Sequence, residues 1–470
     1  MTIRFDNSYA RLPARFYARQ PPEPVTSPAT IAVNAPLARA LGFDPVALAA
    51  NPDLLTGNRL PDGAEPIAQA YAGHQFGGWV PQLGDGRALL LGELVRADGQ
   101  RFDVALKGSG QTPFSRRGDG RAWIGPVIRE YVLSEAMNAL GVPTTRALAA
   151  ATTGDVVWRE EPRPGAVLTR VAASHIRVGT FQYFAAREDT EALRLLADHV
   201  IARHYPQAEG SLGLLDAVMQ RQARLIAHWM SIGFIHGVMN TDNMSISGET
   251  IDYGPCAFMD GYNPKKVFSS IDQTGRYAYE NQPNVALWNL AQFASCLLPL
   301  MSEETAAITA LTECLNRFPG LYEEEWLRLF RAKIGITNPQ AGDGELIETL
   351  LTRMALQRAD FTRTFRGLAT GLAGAEFAEP EAFATWFRDW RDRIASEPAP
   401  EDLMRRSNPA YIPRNHQVEA AIRAAVNGDY GPFGRMNQIL LQPFAEQQDA
   451  APYSLGPTED EEVRRTYCGT

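Results

Sequence analysis

The chain has 470 residues, enough for a large core and for two or three lobes. Hydrophobic residues make up 45% and charged residues 21%, the balance of an ordinary globular protein. A net charge of -9 argues against a general nucleic-acid surface, and no run of about 18 apolar residues is present to form a membrane span.

The first residues, MTIRFDNSYARLPARFY, have no apolar h-region, so no signal peptide is expected and a cytoplasmic enzyme is the default. Residues 1–60 are proline-rich, with Pro21, Pro22, Pro24 and Pro28, and read as an extended arm wrapped on the body. Within the arm, Asn34 to Leu41 is predicted as a short helix ended by Gly42. Residues 69–107 read as strand, tight turn, strand, hairpin, strand. The first turn is Gly84-Asp85-Gly86-Arg87, Leu89 to Val95 is an apolar strand, Asp98-Gly99 is a hairpin signal, and Phe102 to Lys107 is the next strand. Glycines let backbone N–H groups approach phosphate oxygens, and a lysine on a rigid strand supplies a fixed positive charge.

The following GSGQTPFSRRGDGRAWIGP carries Arg116, Arg117, Asp119, Gly120 and Arg121, and reads either as a second phosphate-contacting loop or as a solvated basic loop. Pro126 to Leu140 is a predicted helix. Glu130 is the first choice for an ion-pair partner of Lys107, with Glu135 as competitor. Further strands are expected over 143–185, where Arg170 and Arg177 could clamp a phosphate bidentately. From about 190 the pattern turns helical: Thr190 to Tyr205, Leu214 to Ile232, then 284–298, 303–317, 321–334, 345–368, 380–395 and 416–426. The last stretch, 446–470, is polar and acidic and is expected to be loosely held. Cys256, Cys296, Cys314 and Cys468 are scattered without a CxxC pair, which indicates neither a zinc site nor a disulfide framework.

The long helix ending at Ile232 delivers His236 to Gly254, HGVMNTDNMSISGETIDYG, which resembles the catalytic and metal-binding loops of a protein kinase. His236 and Asn243 keep the spacing of H-R-D-x-x-x-x-N, and Asp252-Tyr253-Gly254 stands where D-F-G would. The aspartate of H-R-D is replaced by Val238, which cannot accept a proton, and the nearest carboxylate is Asp242. Residues 244–251 are predicted to form two short strands joined at Ser247-Gly248, bringing Asn243 and Asp252 together as hard oxygen ligands for Mg²⁺. His236 reads as a structural brace with a neutral imidazole.

YAGHQFGGWVPQLGDGRA at 71–88, LKGSGQTPFSRRGDGRA at 106–122, the HGVMNTDNMSISGETIDYGP stretch and a cysteine near the C-terminus together resemble the selenoprotein O family along the whole chain. The resemblance implies an α+β, bilobal, protein-kinase-like fold with a β-rich N-lobe and a large α-helical C-lobe. The expected units are the arm at 1–60, the N-lobe at 61–185, the C-lobe at 186–445 and a tail with Cys468 at 446–470. It implies an adenylyltransferase that moves AMP from ATP to Ser, Thr or Tyr hydroxyls of proteins, some members using UTP, with no nucleic-acid or membrane partner. Carried over residue by residue, Gly84, Gly86, Arg87, Lys107, Asp119 and Gly120 contact the nucleotide, and Arg170 and Arg177 its phosphate end. Asp242 is the proton acceptor. Asn243 and Asp252 hold Mg²⁺ or Mn²⁺, and Asp252 also faces the nucleotide. Cys468 stands where the family has selenocysteine, and a disulfide with Cys256 or with a target protein is a possible redox role. A γ-phosphate transferase and a noncatalytic nucleotide-binding scaffold are the alternatives.

Overall fold

The structure is a computed structural model that describes residues 5–467. It is an α+β protein built on one antiparallel sheet and many helices. The strands are β1 (Tyr17–Arg19), β2 (Ala29–Val33), β3 (Ile67–Gln69), β4 (Gly73–Gln75), β5 (Gly78–Val80), β6 (Ala88–Val95), β7 (Arg101–Lys107), β8 (Ala122–Trp123), β9 (Arg146–Trp158), β10 (Pro162–Ala172), β11 (Phe234–Ile235) and β12 (Ala257–Phe258). Eight of them form the main sheet in the order β1-β3-β6-β7-β10-β9-β2, with β8 on β10. The β4–β5 and β11–β12 pairs are separate ribbons. Both edge strands of the sheet come from the N-terminal segment, so the expected arm is part of the sheet rather than a wrapping around it. Its proline content suits this placement, because proline is tolerated beside an edge strand and not inside a central one.

Short helices α1 (Ala35–Ala40), α2 (Pro45–Ala49) and α3 (Pro52–Thr56) follow β2. Asn34 caps α1, accepting from the Leu37 N–H at 3.2 Å. These helices cover one face of the sheet, where Leu37, Leu48 and Leu55 join Leu91, Leu106 and Val167 in a core. The other face takes α4 (Ile124–Ala139). Behind it come α5 (Val178–Ala185), α6 (Thr190–His204), α7 (Gly210–Ser231), α8 (Gln282–Leu297), α9 (Glu304–Leu315), α10 (Phe318–Lys333), α11 (Asp343–Gln357), α12 (Phe361–Leu368), α13 (Pro380–Ile394), α14 (Pro400–Ser407), α15 (Asn415–Val426), α16 (Gly431–Leu440) and α17 (Ala451–Ser454). The helical half has its own large core, in which α7 supplies Leu215, Val218, Leu225 and Trp229. Helices α15 and α16 return to the sheet and pack on α4, with Tyr131 edge-on to Phe433 at 5.3 Å. They brace the helix that carries Glu130.

Four local expectations are corrected. Residues 345–368 are two helices, because Arg358 adopts φ 53° and Asp360 caps α12, accepting from the Arg363 N–H at 2.8 Å. The break frees the 359–361 backbone to bond residues 260 and 262. Residues 244–251 are not a hairpin: Ser245 bridges to Arg177 and Thr250 to Thr144, so each half pairs outward. The Gly84 turn is not a hairpin: the strand before it, β5, pairs with β4 and not with β6, and the turn closes a long excursion between the sheet neighbours β3 and β6. The tail is fastened rather than loose. Thr466 is buried, bridges in parallel to Ser269, and donates its hydroxyl to the Pro255 carbonyl. Cys468 lies outside the described residues. Among the described residues, no helix is long and apolar enough to cross a membrane.

Candidate active site

Lys107 ends β7 and lies opposite Ala88 of β6 and Leu168 of β10, in the middle of the sheet. Its ammonium contacts Glu130 of α4 at 2.5 Å and Asp252 at 2.8 Å. The other Glu130 oxygen takes Arg170 at 3.2 Å, and Arg170 also reaches Asp252 at 3.0 Å. Arg177, the residue before α5, lies 3.6 Å from Asp252 and stacks on the Tyr71 ring at 4.4 Å. Glu135, the competitor for Lys107, pairs instead with Arg146 and Asn34. Three cations thus converge on Asp252, which sits at φ 63°. Burial opposes its charge, but Lys107, Arg170 and Arg177 outweigh burial and hold the carboxyl well below the usual carboxylate range.

Arg177 ties this cluster to the loop that follows β11. It donates to the Asp242 carbonyl at 3.2 Å, and its Nη2 is buried without a hydrogen-bond partner. Asp242 lies in a 3₁₀ turn, Thr241–Asn243. Burial pushes its carboxyl up to about 6, against the nearby Arg177 charge. Its Oδ2 accepts from Gln75 at 3.3 Å, while Oδ1 is buried without a partner. That oxygen has room because residue 73 is glycine: a Cβ there would sit 2.7 Å from it. Asn243 donates its amide N–H to the Val238 carbonyl at 3.0 Å, which leaves Oδ1 available. His236 is buried and stacked on Trp229. Its Nε2–H donates to the Ile251 carbonyl at 2.9 Å and its Nδ1 accepts from the Val238 N–H at 3.3 Å, as a neutral brace requires. Burial lowers its basicity. The amide oxygen of Asn243 and the carboxylate of Asp252 are hard donors of the kind that suits Mg²⁺ or Mn²⁺, although among the described residues no group of three or more His, Cys, Asp or Glu side chains is placed to hold a metal ion.

The glycine loops serve a purpose that the sequence did not suggest. A Cβ on Gly84 would fall 2.3 Å from the Phe114 ring, and one on Gly86 would fall 2.9 Å from the Phe114 carbonyl. The two loops are pinned there, with Thr112 donating to the Asp85 carbonyl at 2.7 Å and the Gly108 N–H to the Arg87 carbonyl at 2.7 Å. Gly120 packs equally close to Gly110, where an added Cβ would lie 2.0 Å from a carbonyl oxygen. Asp119 faces outward and pairs with Arg159 at 2.7 Å rather than with the Lys107 cluster. Arg116 and Arg117 are exposed.

Sequence reasoning missed Tyr71, Gln75 and the polar net beneath them. Thr241 accepts the His74 N–H at 2.7 Å and donates to Gln182 at 2.5 Å, and Asn240 accepts the Phe76 N–H at 3.0 Å and the Tyr277 hydroxyl at 2.7 Å. The signal was present in the glycines that flank His74, Gln75 and Phe76, where backbone must approach another segment closely.

A family model described as "Protein adenylyltransferase SelO" matches residues 1–441. The chain is 59% identical over 470 residues to the protein nucleotidyltransferase YdiU of Ruegeria sp. (strain TM1040), covering 100% of both chains. It is 57% identical to that of Ruegeria pomeroyi, again over 470 residues and 100% of both. Against the protein of the same description from Bradyrhizobium diazoefficiens, identity is 56% over 491 residues, with 100% of both covered. With a family model spanning nearly all of it and relatives matched from end to end, the chain belongs to the SelO family and is a protein adenylyltransferase.

Proposed function

We propose that the Lys107–Glu130–Arg170–Arg177–Asp252 cluster binds the triphosphate of ATP, and that Asp242 accepts the proton of a Ser, Thr or Tyr hydroxyl on the acceptor protein. The observation that carries this reading is the convergence of three buried cations: Lys107, Arg170 and Arg177 gather on Glu130 and Asp252, and the Arg177 Nη2 makes no hydrogen bond, its carboxylate neighbour Asp85 lying 3.9 Å away. Such a cluster is completed by an anionic ligand. Gly84, Gly86, Arg87, Asp119 and Gly120 would frame the nucleotide through the two interlocked loops. Asn243 and Asp252 would hold Mg²⁺ or Mn²⁺, which supplies charge neutralisation at the phosphates.

The acceptor oxygen attacks the α-phosphorus, its proton passes to Asp242, and the bond to the bridging oxygen breaks to release pyrophosphate. Arg170 and Arg177 would stabilise the charge that develops on the leaving group. Val238 at the usual kinase base position leaves Asp242 as the carboxylate of this loop, and a carboxyl raised to about 6 is well matched to accept a proton near neutral pH. The same arrangement supports reading the fold as a bilobal, kinase-like one, with an N-lobe at 61–185 whose sheet takes its edge strands from residues 1–60, a helical C-lobe at 186–445 and the tail at 446–470. A lysine on a central strand paired with a helix glutamate, followed by the His236, Asn243 and Asp252 series, is the basis for that reading. The buried thiols of Cys296 and Cys314 suit a reducing, cytoplasmic setting.

The test uses ATP labelled at either the α- or the γ-phosphorus, with Mg²⁺ or Mn²⁺ and with UTP as competitor. Label retained on protein from α only is the expected result, and Asp242→Ala removes it while nucleotide still binds. Label from γ only would make the enzyme a phosphotransferase, and label from neither would make it a nucleotide-binding scaffold.

A further inference from the structure

The β4–β5 ribbon forms one wall of Asp242, and Phe76 in its turn packs on Tyr277 at the margin of the helical core, ring centroids 5.3 Å apart. Its β4 flank is docked on the catalytic loop: the His74 N–H goes to Thr241, the Phe76 N–H to Asn240, and the Gln75 amide to Asp242. The turn consists of Phe76 at φ 52° and Gly77 at φ 83°, the two left-handed residues of a two-residue hairpin turn. Such a turn makes Gln75 and Gly78 the hydrogen-bonded pair and leaves His74 and Trp79 facing each other as a non-bonded pair. The His74 N–H accordingly points away from β5, towards Thr241. By the same geometry the Trp79 N–H and C=O point away from β4. Among the described residues no strand pairs with β5 on that flank.

The exposed side of the ribbon carries an aromatic cluster. Trp79 is 41% exposed, and its ring packs on His74 at 4.9 Å. His74 in turn meets Trp288 edge-on at 5.1 Å, and the Arg276 guanidinium lies over Trp288 at 4.7 Å. A large aromatic left open beside an unpaired strand edge is a common anchor for a polypeptide partner.

We propose that the β5 flank is the docking ledge for the acceptor protein, which lies along it in extended conformation, bonded to the Trp79 main chain and packed on the Trp79 ring. The occupant follows from the reaction, since the acceptor is a protein and must reach Asp242, and the ribbon is continuous with the Asp242 loop through three hydrogen bonds. This inference rests on the assignment of Asp242 made under Proposed function. Strand spacing adds a restriction. A segment paired with β5 lies about 10 Å from β4, two spacings of roughly 4.8 Å. The hydroxyl that reacts is therefore carried on chain beyond the docked segment, about three or more residues away at roughly 3.3 Å per residue.

The test measures α-label transfer from ATP by the full-length enzyme into a desalted extract of the source cells, with extract concentration varied. Trp79→Ala removes the ring, and Trp79→Pro removes the outward N–H. The apparent KM for the acceptor pool is expected to rise about tenfold in each, whereas ATP affinity measured by calorimetry stays at the parent value. A KM within about threefold of the parent in both variants overturns the proposal, and so does a loss of ATP affinity in step with KM. Asp242→Asn run in parallel separates the two readings: unaltered transfer in that variant sinks the assignment of Asp242, whereas an unaltered KM in the Trp79 variants sinks the ledge alone.

Discussion

Asp252→Ala tests whether the cluster is built around an anion. The carboxylate removed is shared by Lys107 at 2.8 Å, Arg170 at 3.0 Å and Arg177 at 3.6 Å. After the change Glu130 still faces Lys107 and Arg170, but Arg177 keeps only the more distant Asp85, at 3.9 Å. Removing one partner of a buried ion pair costs about 3–5 kcal/mol. The Asp252 side chain retains 24% exposure, which favours the lower end, about 3 kcal/mol. Alanine at φ 63° adds roughly 1 kcal/mol, because aspartate tolerates the left-handed region better. The variant should therefore unfold about 4 kcal/mol more easily in urea at pH 7 with a chelator present.

ATP without a divalent cation should then return a larger share of stability to the variant than to the parent. Its phosphates supply the lost negative charge, and binding contributes about 2.7 kcal/mol at a hundredfold excess over Kd. The depressed carboxyl sets the pH window. Its benefit to the parent is present above its unfolded value of about 4 and is lost as the pH falls toward the folded value, so the deficit is flat from about pH 5 to 8. AMP transfer by the variant is abolished. A urea midpoint equal to that of the parent, or an identical ATP response in both, would refute the reasoning.

Lys333 is buried against Asn408, 2.9 Å away, and burial pushes its amine down to about 7. The fold thus disfavours its charge, so parent stability rises as the pH climbs from about 7 toward the unfolded value near 10.5. Lys333→Met should be more stable than the parent at pH 6, with the gap narrowing by roughly 3 kcal/mol at pH 9, as urea midpoints at the two pH values would report. Gly120→Ala places a methyl against the Gly110 carbonyl at φ +66°, so the 108–121 loop must shift; nucleotide affinity is expected to fall at least about tenfold, measured by calorimetry, while the melting temperature moves little. Thr466→Val removes the hydroxyl bonded to Pro255 and leaves that carbonyl short of a donor, so limited proteolysis within 264–276 should accelerate, the segment having lost about 1 kcal/mol of anchoring.

The pairing of Lys107 with Glu130 was legible in the sequence because each sits at a fixed offset within a strand or helix whose period is local. The strand ends at the lysine and the helix that follows presents Glu130, so their meeting needs only the right elements in order. Tyr71 and Gln75 were not legible in this way. The Gln75 partner, Asp242, lies 167 residues further along the chain, and nothing local marks one polar side chain among glycines as its neighbour. The expected hairpin at 244–251 failed for a related reason. Its two halves have strand-forming composition, but Arg177 and Thr144 offer pairing from outside, and tertiary pairing overrides local preference. Gly84 and Gly86 were read as sites where backbone approaches phosphate oxygens, and the group that lies against them in the folded chain is Phe114.

The sheet draws both of its outermost strands from the first 33 residues, and this orders events during synthesis. Strands β1 and β2 leave the ribosome before their partners and cannot take their places until residues 67–69 and 146–158 have followed, because those are the strands they pair with. Until then β1 and β2 present unpaired backbone, the kind of surface on which nascent chains associate with one another. A bulky fusion at the N-terminus, or a deletion of residues 1–33, would leave both borders of the sheet open together, and its first symptom would be aggregation during expression rather than a fall in turnover.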